Sequence, residues 1–279
     1  MAITNFIPTI WSENLASALE KKYVAVSHCN REYEGEIKNM GSVVKICGVG
    51  NITVGDYTKD TDMSNPQTLS DTVTELTIDQ AKYFNFQIDD IDKAQCTPRL
   101  MEAAMKVAAS SLANVADRYV YSLAYDAANT ITIDNPSPSD VLLNIIEARR
   151  MLYENNVSDS EEVVLEISPK VATSLIQDSL IIPTTTIDML DPGCLGTIAG
   201  CKVYVTNNLY QSIDDYRYAC LMRTKRAIAF AEQFSEIDAY RPEKRFADAV
   251  KGLHLYGAKV VYPNEMVCLA IGYSNSDNH

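Results

Sequence analysis

Two neighbouring residues, His28 and Cys29, are of the types that together activate a thiolate nucleophile. Adjacent side chains point in different directions on a helix or a strand, so this pair is not expected to form a nucleophile–base dyad. A cytoplasmic hydrolase that depends on Cys29 is therefore a remote alternative. A second histidine, His254, lies in an alternating apolar run and is expected on a strand face rather than in a ligand site.

Three carboxylates, those of Asp89, Asp90 and Asp92, could bind a metal ion, and they are the other group on which a hydrolase could depend. A calcium-binding loop also needs a glycine and a final glutamate at fixed positions, and both are missing here. Because these aspartates precede a predicted helix, they are expected to interact with its positively polarised N-terminus. The Gly-Val-Gly run at 48–50 lacks the third glycine and the following helix of a dinucleotide-binding loop. The sequence therefore predicts no catalytic residue, no cofactor and no metal site, and a protein that is not an enzyme.

The composition limits the classes of partner. The chain has 279 residues, of which 47% are hydrophobic, so it can bury a sizeable core. Its formal net charge of -13 argues against a surface that coats nucleic acid, because phosphate contacts need a basic face. Seven cysteines without a C-x-x-C pair predict reduced thiols. Neither a membrane span nor a secretory signal is expected, since no long apolar run or basic leader is found.

One long helix is expected to position much of the fold. It is predicted to begin at Thr97 and Pro98, which suit the cap and the first turn, and to continue to about Ala128. About 30 residues would form a rod of roughly 45 Å, long enough to support a flat subunit. Apolar residues at alternating steps of four and three predict its buried face: Met101, Met105, Ala108, Leu112, Val115 and Tyr119.

The segment before this helix is predicted to form a long β-hairpin. Alternating apolar residues within 44–54 indicate the outgoing strand, and the run at 73–88 indicates the returning one. The connection at 55–70 has few large apolar side chains, and Pro66 is typical of a loop tip. A hairpin alone is at best marginally stable in water. We therefore expect something outside the subunit's own core to hold this arm.

Helices and strands alternate in the rest of the chain, which predicts an α/β region. Ser139 is predicted to cap one helix, and the Ser-Pro pair at 168–169 is predicted to begin another. Apolar side chains at helical spacing predict further helix at 227–234. The predicted strands are 162–167, 202–206, 218–222 and most of 236–271.

Three patches of the sequence, taken in order, resemble the major capsid (coat) proteins of tailed bacteriophages. They read LTIDQAKYFNFQIDDID at 76–92, GTIAGCKVYVTNN at 196–208 and YRPEKRFADAVKGLHLYGAKV at 240–260. The resemblance implies an α+β protein with the HK97-like capsid fold. It divides the chain into an N-terminal arm at 1–30, an extended loop at 31–92, a peripheral domain with the spine helix at 93–136, an axial domain at 137–234, and peripheral-domain strands with a C-terminal strand at 235–279.

The resemblance also implies a function. It would make the protein a major capsid protein that self-assembles, through hexamers and pentamers, into the icosahedral shell around the double-stranded DNA genome of a tailed bacteriophage or prophage. Its implied partners are other copies of itself, a scaffolding protein and a portal. Neither sequence-specific DNA binding nor a membrane is implied. The virion capsid would be its location, and the bacterial host cytoplasm the place of assembly. An encapsulin-like nanocompartment shell protein is the alternative that keeps the fold.

The expected inter-subunit contacts lie in the loop tip and in the N-terminal arm. Ordering about 15 residues at the tip costs roughly 1–2 kcal/mol each, which its few apolar side chains cannot offset within one subunit. A neighbouring subunit would supply the difference. The contact residues predicted on this basis are Tyr57, Lys59, Asp60, Asp62, Met63 and Leu69 in the tip, and Phe6, Ile7 and Trp11 in the arm.

Overall fold

The fold was determined from a computed structural model. It describes residues 22–33, 40–49, 71–89, 100–158, 160–177, 193–212, 217–244 and 246–273, together with Leu19, Val54, Asp56, Lys59, Asp62 and Asn65. The described strands and α-helices, in chain order, are β1 (Val43–Val49), β2 (Asp71–Thr77), β3 (Gln80–Asp89), α1 (Leu100–Ser122), β4 (Asn129–Asp134), α2 (Pro138–Glu154), β5 (Val163–Ile167), α3 (Pro169–Gln177), β6 (Cys194–Ile198), β7 (Cys201–Val205), β8 (Arg217–Thr224), β9 (Ile228–Tyr240), β10 (Ala247–Val260) and β11 (Met266–Gly272).

The larger sheet has six strands, in the order β4-β11-β8-β5-β7-β6. β11 runs parallel to β4 and β5 runs parallel to β7, whereas β8 is antiparallel to both β11 and β5. Every residue of β5 and of β11 is buried, as expected for central strands that are covered on both faces. α2 packs on β4 and β11, and the short 3-10 helix Leu123–Asp126 contacts β8 and β11.

The helices α2 and α3 begin at serine–proline pairs. α2 begins two residues earlier than predicted: Ser137, and not Ser139, is the cap, with Pro138 in the first turn. Asp140 completes a capping box, because its carboxylate accepts from the Ser137 amide at 3.0 Å while the Asp140 amide donates to Ser137 Oγ at 3.2 Å. The predicted start of α3 at Ser168 and Pro169 is confirmed.

The spine helix α1 has 23 described residues and is about 35 Å long. The predicted start at Thr97 and Pro98 lies outside the described residues, and the α-helix ends at Ser122 in a 3-10 turn rather than at Ala128. Part of the predicted apolar face was wrong, because Val115 is 37% exposed. A pattern of alternating fours and threes drifts around a straight helix by about 20° per heptad. The buried stripe instead passes through Met105, Ala109, Leu112, Ala113, Ala116 and Val120.

A smaller sheet with strand order β3-β10-β9 lies against the spine helix. Two predictions fail here. The run predicted as one strand over 73–88 is two strands in different sheets, since β2 pairs with β1 while β3 pairs with β10. The helix predicted at 227–234 is part of β9, which pairs with β10 from Ile228 to Tyr240. Long-range pairing overrides the local apolar spacing at this position.

Among the described residues, no helix is long and apolar enough to cross a membrane.

Candidate inter-subunit surfaces and the clusters that position them

The base of the hairpin is held by its own subunit. β1 and β2 pair in register from Val43↔Thr77 to Val49↔Asp71. The inner face of the hairpin, with Val44, Ile46, Leu76 and the following Ile78, is buried against Ala229, Ala231 and Leu255 of the smaller sheet. The prediction that this arm has no partner within the subunit is therefore wrong for its base. It stays a prediction for 50–70, where most residues lie outside the described ones.

A glycine permits this close packing. A Cβ atom on Gly257 of β10 would lie 2.2 Å from the carbonyl oxygen of Thr77, so no larger residue fits without moving the backbone.

The outer face of the hairpin base is exposed to solvent. Val43 and Val73 are exposed there, and Lys45 and Glu75 form a solvent-exposed ion pair at 3.9 Å. The hairpin base thus presents an apolar and charged outer face to any neighbour.

The structure describes only two of the nine predicted contact residues. Lys59 and Asp62 are both exposed, which is compatible with a contact but does not test it. The remaining seven lie outside the described residues: Tyr57, Asp60, Met63, Leu69, Phe6, Ile7 and Trp11.

The chain that follows the arm, residues 22–33, is fixed by three polar anchors that were not predicted. The first is Asp117 of the spine helix, whose carboxylate accepts the amides of Val24 at 3.1 Å and Val26 at 3.2 Å. Burial raises the pKa of Asp117 from 3.8 to about 6, while the amide donors act in the opposite direction. The sequence did carry a signal for this anchor, because Asp117 is an acidic residue on the alanine-rich buried face of a predicted helix.

The second anchor is Glu232 of β9. Its carboxylate accepts from the hydroxyl of Tyr23, from Arg31 Nη2 at 2.7 Å and from His254 Nε2 at 2.8 Å. Tyr23 and Arg31 belong to the N-terminal segment, and His254 belongs to β10. Asn30 adds backbone pairing to the strand, because its amide donates to the Ile228 carbonyl and its carbonyl accepts from Phe230, both at 2.9 Å. His254 thus has a structural role, as expected for a strand-face residue.

The third anchor is a fully buried ion pair between Arg223 of β8 and Glu166 of β5. Arg223 Nε and Nη2 each lie 3.1 Å from a different carboxylate oxygen of Glu166. The same guanidinium donates to the carbonyls of His28 at 2.7 Å and Ala25 at 2.8 Å. Although burial alone would raise the pKa of Glu166, Arg223 and His28 lower it. Because the donors of Arg223 and the carboxylate oxygens of Glu166 all have partners, the pair fixes the segment to the six-stranded sheet.

The contacts around residues 25–29 argue against a hydrolase that uses Cys29 as its nucleophile. The thiol is fully buried and donates to the Ala25 carbonyl at 3.2 Å, and burial raises its pKa to about 11, so it is not a thiolate at neutral pH. The His28 ring pairs with Glu166 at 3.1 Å instead of with Cys29. In the described part of the chain, no three His, Cys, Asp or Glu side chains are grouped as metal ligands would be. Asp89 is exposed on β3, and Asp90 and Asp92 lie outside the described residues.

Two further exposed surfaces have the composition of protein contacts. One is an apolar groove between β3 and α1, lined by the stacked rings of Phe84 and Phe86 and flanked by Tyr83, which is 80% exposed. β3 is an edge strand of its sheet as far as the structure describes it, and an edge strand can accept another chain. The other is the turn between β9 and β10, where Phe246 is 84% exposed near the exposed cation Lys244.

No protein-family model matches the chain, and no curated protein matches it in sequence. Solved structures do match. A structure of Mycobacterium phage Che8 is 28% identical with a TM-score of 0.69, and the match covers 88% of this chain and 90% of that one. The capsid of the cyanophage P-SCSP1u is 16% identical with a TM-score of 0.66, covering 88% of this chain and 87% of that one. A virus-like particle from Pyrococcus furiosus is 11% identical with a TM-score of 0.57, covering 95% and 99%.

The fold is therefore the α+β, HK97-like fold of viral capsid subunits, present over nearly the whole chain. The resemblance to the major capsid proteins of tailed bacteriophages, first carried by three sequence patches, is confirmed by these structures.

Proposed function

We propose that the chain is a major capsid protein that self-assembles into the icosahedral shell enclosing the double-stranded DNA genome of a tailed bacteriophage or prophage. The observation that carries the proposal is the match of almost the entire fold to structures from phages, including a capsid. The shell would form from hexamers and pentamers in the host cytoplasm, and the virion capsid would be its final location. We further propose a scaffolding protein and a portal as assembly partners.

The surfaces of the subunit support this role. A shell subunit needs exposed elements that contact its neighbours. The parts of the subunit to which these elements are attached must be rigid, because they fix the direction of each element. The hairpin base and the segment at 22–33 are both anchored, and they adjoin the two regions predicted to contact a neighbour, which are the loop tip with Tyr57 to Leu69 and the N-terminal arm with Phe6, Ile7 and Trp11. The net charge of -13 suits a shell that encloses DNA without binding it tightly. We also propose the domain division given by the sequence resemblance. It consists of an N-terminal arm at 1–30, an extended loop at 31–92, a peripheral domain with the spine helix at 93–136, an axial domain at 137–234, and peripheral-domain strands with a C-terminal strand at 235–279.

The test is assembly of the purified full chain, alone and with a candidate scaffolding protein. Sedimentation velocity and negative-stain electron microscopy should reveal closed shells or capsomers in at least one condition. A monodisperse monomer in every condition, with scaffold included, would refute the proposal.

An encapsulin-like nanocompartment shell is the second candidate, because the match to the Pyrococcus furiosus virus-like particle extends over 95% of this chain. It predicts small closed shells that form without scaffold and enclose a cargo protein in place of DNA. Mass spectrometry of shells purified from cells that contain the whole gene neighbourhood separates the two candidates. A co-purified cargo enzyme favours the nanocompartment, and co-purified portal protein with DNA favours the phage capsid.

A further inference from the structure

The groove between β3 and α1 is long, apolar and open. It runs along residues 81–88 of the strand and 104–115 of the helix. Small side chains such as that of Ala108 leave room on the helix side, and Val107 beside it is 66% exposed. Lys82 is the one charged side chain among the described residues that line the groove. An occupant of this groove should therefore be apolar and carry little charge.

The strand side of the groove also offers backbone hydrogen bonds. In the part of the chain that the structure describes, β3 pairs with β10 alone, so its other edge is open. An open edge can pair with an extended segment, whose side chains then supply the specific contacts. The fitting occupant is therefore an extended apolar strand.

The beginning of the chain has this composition. Residues 1–11 contain no charged side chain, and they include Phe6, Ile7 and Trp11. The other segment predicted to contact a neighbour is the loop tip, which has four charged side chains within 56–62. Burying those charges in an apolar groove would cost free energy. The N-terminal arm is therefore the better occupant of the two.

The attachment point of the arm and the groove lie on opposite flanks of α1. Asp117, which binds the segment at 22–33, is rotated by about 120–180° from Ala108 and Ser111 at 3.6 residues per turn. The buried stripe of α1 fills the space between them on one side. An arm that entered the groove of its own subunit would therefore pass around the exposed side of the helix, a path of roughly 16–19 Å for a helix 10–12 Å wide.

The chain next to the arm is too short for that path. Apolar residues at steps of four, Leu15, Leu19 and Tyr23, predict a helix that Ser12 caps, and Leu19 is helical in the structure. A helix from Ser12 to Leu19 advances only about 10 Å. An arm that comes from a second copy meets no such obstacle.

We propose that residues 6–11 of a second copy add as an extended strand to the open edge of β3. Their apolar side chains would pack against Val107 and the stacked rings of Phe84 and Phe86. Pro8 has no amide hydrogen, so it faces away from β3, and its neighbours Ile7 and Thr9 form the hydrogen bonds. The inference rests on the proposed self-assembly and names the surface that receives the arm.

The fluorescence of the full chain tests the contact, because Trp11 is its only tryptophan. On assembly, the emission should shift to shorter wavelength and acrylamide should quench it less. Val107→Asp places a charge in the groove, so at least about tenfold more protein should be needed for the same change. Val107→Ile is the matched control and should behave as the parent does. An unchanged response of Val107→Asp would overturn the proposal.

Two proline variants test the strand pairing. Thr9→Pro removes an amide on the side of β3 and should weaken the fluorescence change at least about tenfold. Thr4→Pro is the matched control, because position 4 faces the same way as Pro8 in an extended strand and should tolerate proline. Equal effects of the two prolines would contradict the pairing.

Cross-linking identifies the copy that supplies the arm. Chains with Thr9→Cys and chains with Tyr83→Cys, both also carrying Cys47→Ser, are assembled together and treated with a short thiol–thiol cross-linker. A product with the mass of two chains is expected. Leu143→Cys on α2, in place of Tyr83→Cys, is the control and should give no such product.

The remaining outcomes separate the contact from the proposed function. If one chain carries both Thr9→Cys and Tyr83→Cys and is assembled in an excess of Cys47→Ser chain, a product within that single chain would assign the groove to its own arm and overturn the proposal. Shells that form without the cross-link between the mixed chains overturn the contact alone. A chain that never assembles refutes the proposed function and this contact with it.

Discussion

Replacing Arg223 by methionine should destabilise the subunit strongly. The substitution keeps the apolar volume but leaves the Glu166 carboxylate buried without its counter-ion, and such a loss costs about 3–5 kcal/mol. It also removes the donors to the carbonyls of Ala25 and His28. At about 2–4 °C per kcal/mol for a large domain, the melting temperature should fall by roughly 10 °C. The segment at 22–33 should then detach first, and trypsin should cut after Arg31 more rapidly.

Two further variants test the reasoning. Arg223→Met/Glu166→Gln removes both charges, so it should recover at least about 2 kcal/mol relative to Arg223→Met alone. Arg226→Met is the matched control, because Arg226 pairs with Glu265 and Glu161 while 57% exposed, and it should cost at most about 1 kcal/mol. Calorimetry and timed trypsin digestion of the unassembled chain give the two readouts. The reasoning is refuted if the double variant is no more stable than the single one, or if Arg226→Met is as damaging as Arg223→Met.

Three other perturbations have defined outcomes. Because burial raises the pKa of Asp117 from 3.8 to about 6, the folded state binds this proton more tightly, so the associated stability is present below about pH 4 and is lost as pH rises through about 6. Asp117→Asn should abolish that component in urea titrations at several pH values. Gly257→Ala should cost about 2–3 kcal/mol by its clash with Thr77, and hydrogen exchange should increase most in β1 and β2; an unchanged exchange pattern would contradict the packing described. Asp60→Lys/Asp62→Lys should leave the melting temperature of the monomer within about 1 °C of the parent yet lower shell yield in sedimentation, and full assembly would show that the loop tip is not a contact.

Several elements of the six-stranded sheet and its helices could be predicted from the sequence. β5 and β8 are short apolar runs, and the Ser-Pro pair at 168–169 marks a helix start through its own local chemistry. The secondary structure of residues 227–234 could not be predicted from such local signals. Its apolar spacing satisfies a helix and a strand equally, and only pairing with β10 selects the strand.

The anchors of the N-terminal segment were harder to predict, because each joins distant parts of the chain. Arg223 lies 57 positions from Glu166 and 195 from His28. Their local signal was present, since Glu166 is the one charged residue of β5 and Arg223 directly follows the apolar run at 219–222 of β8. Two such interruptions of opposite sign predict a buried pair, but only the strand order β8-β5 shows that these two strands are neighbours.

The strand β9 has a consequence for the mechanics of the subunit. Ala229 and Ala231 lie against the hairpin base, whereas Phe230 and Glu232 on the alternate face hold the N-terminal segment. One strand thus supports both the hairpin base and the N-terminal segment. Ten residues of extended chain span about 33 Å, and a tilt of about 5° moves the far end of such a length by about 3 Å relative to its near end. In the shell that we propose, differences in curvature between five-fold and six-fold positions would therefore move the hairpin base and the N-terminal segment together.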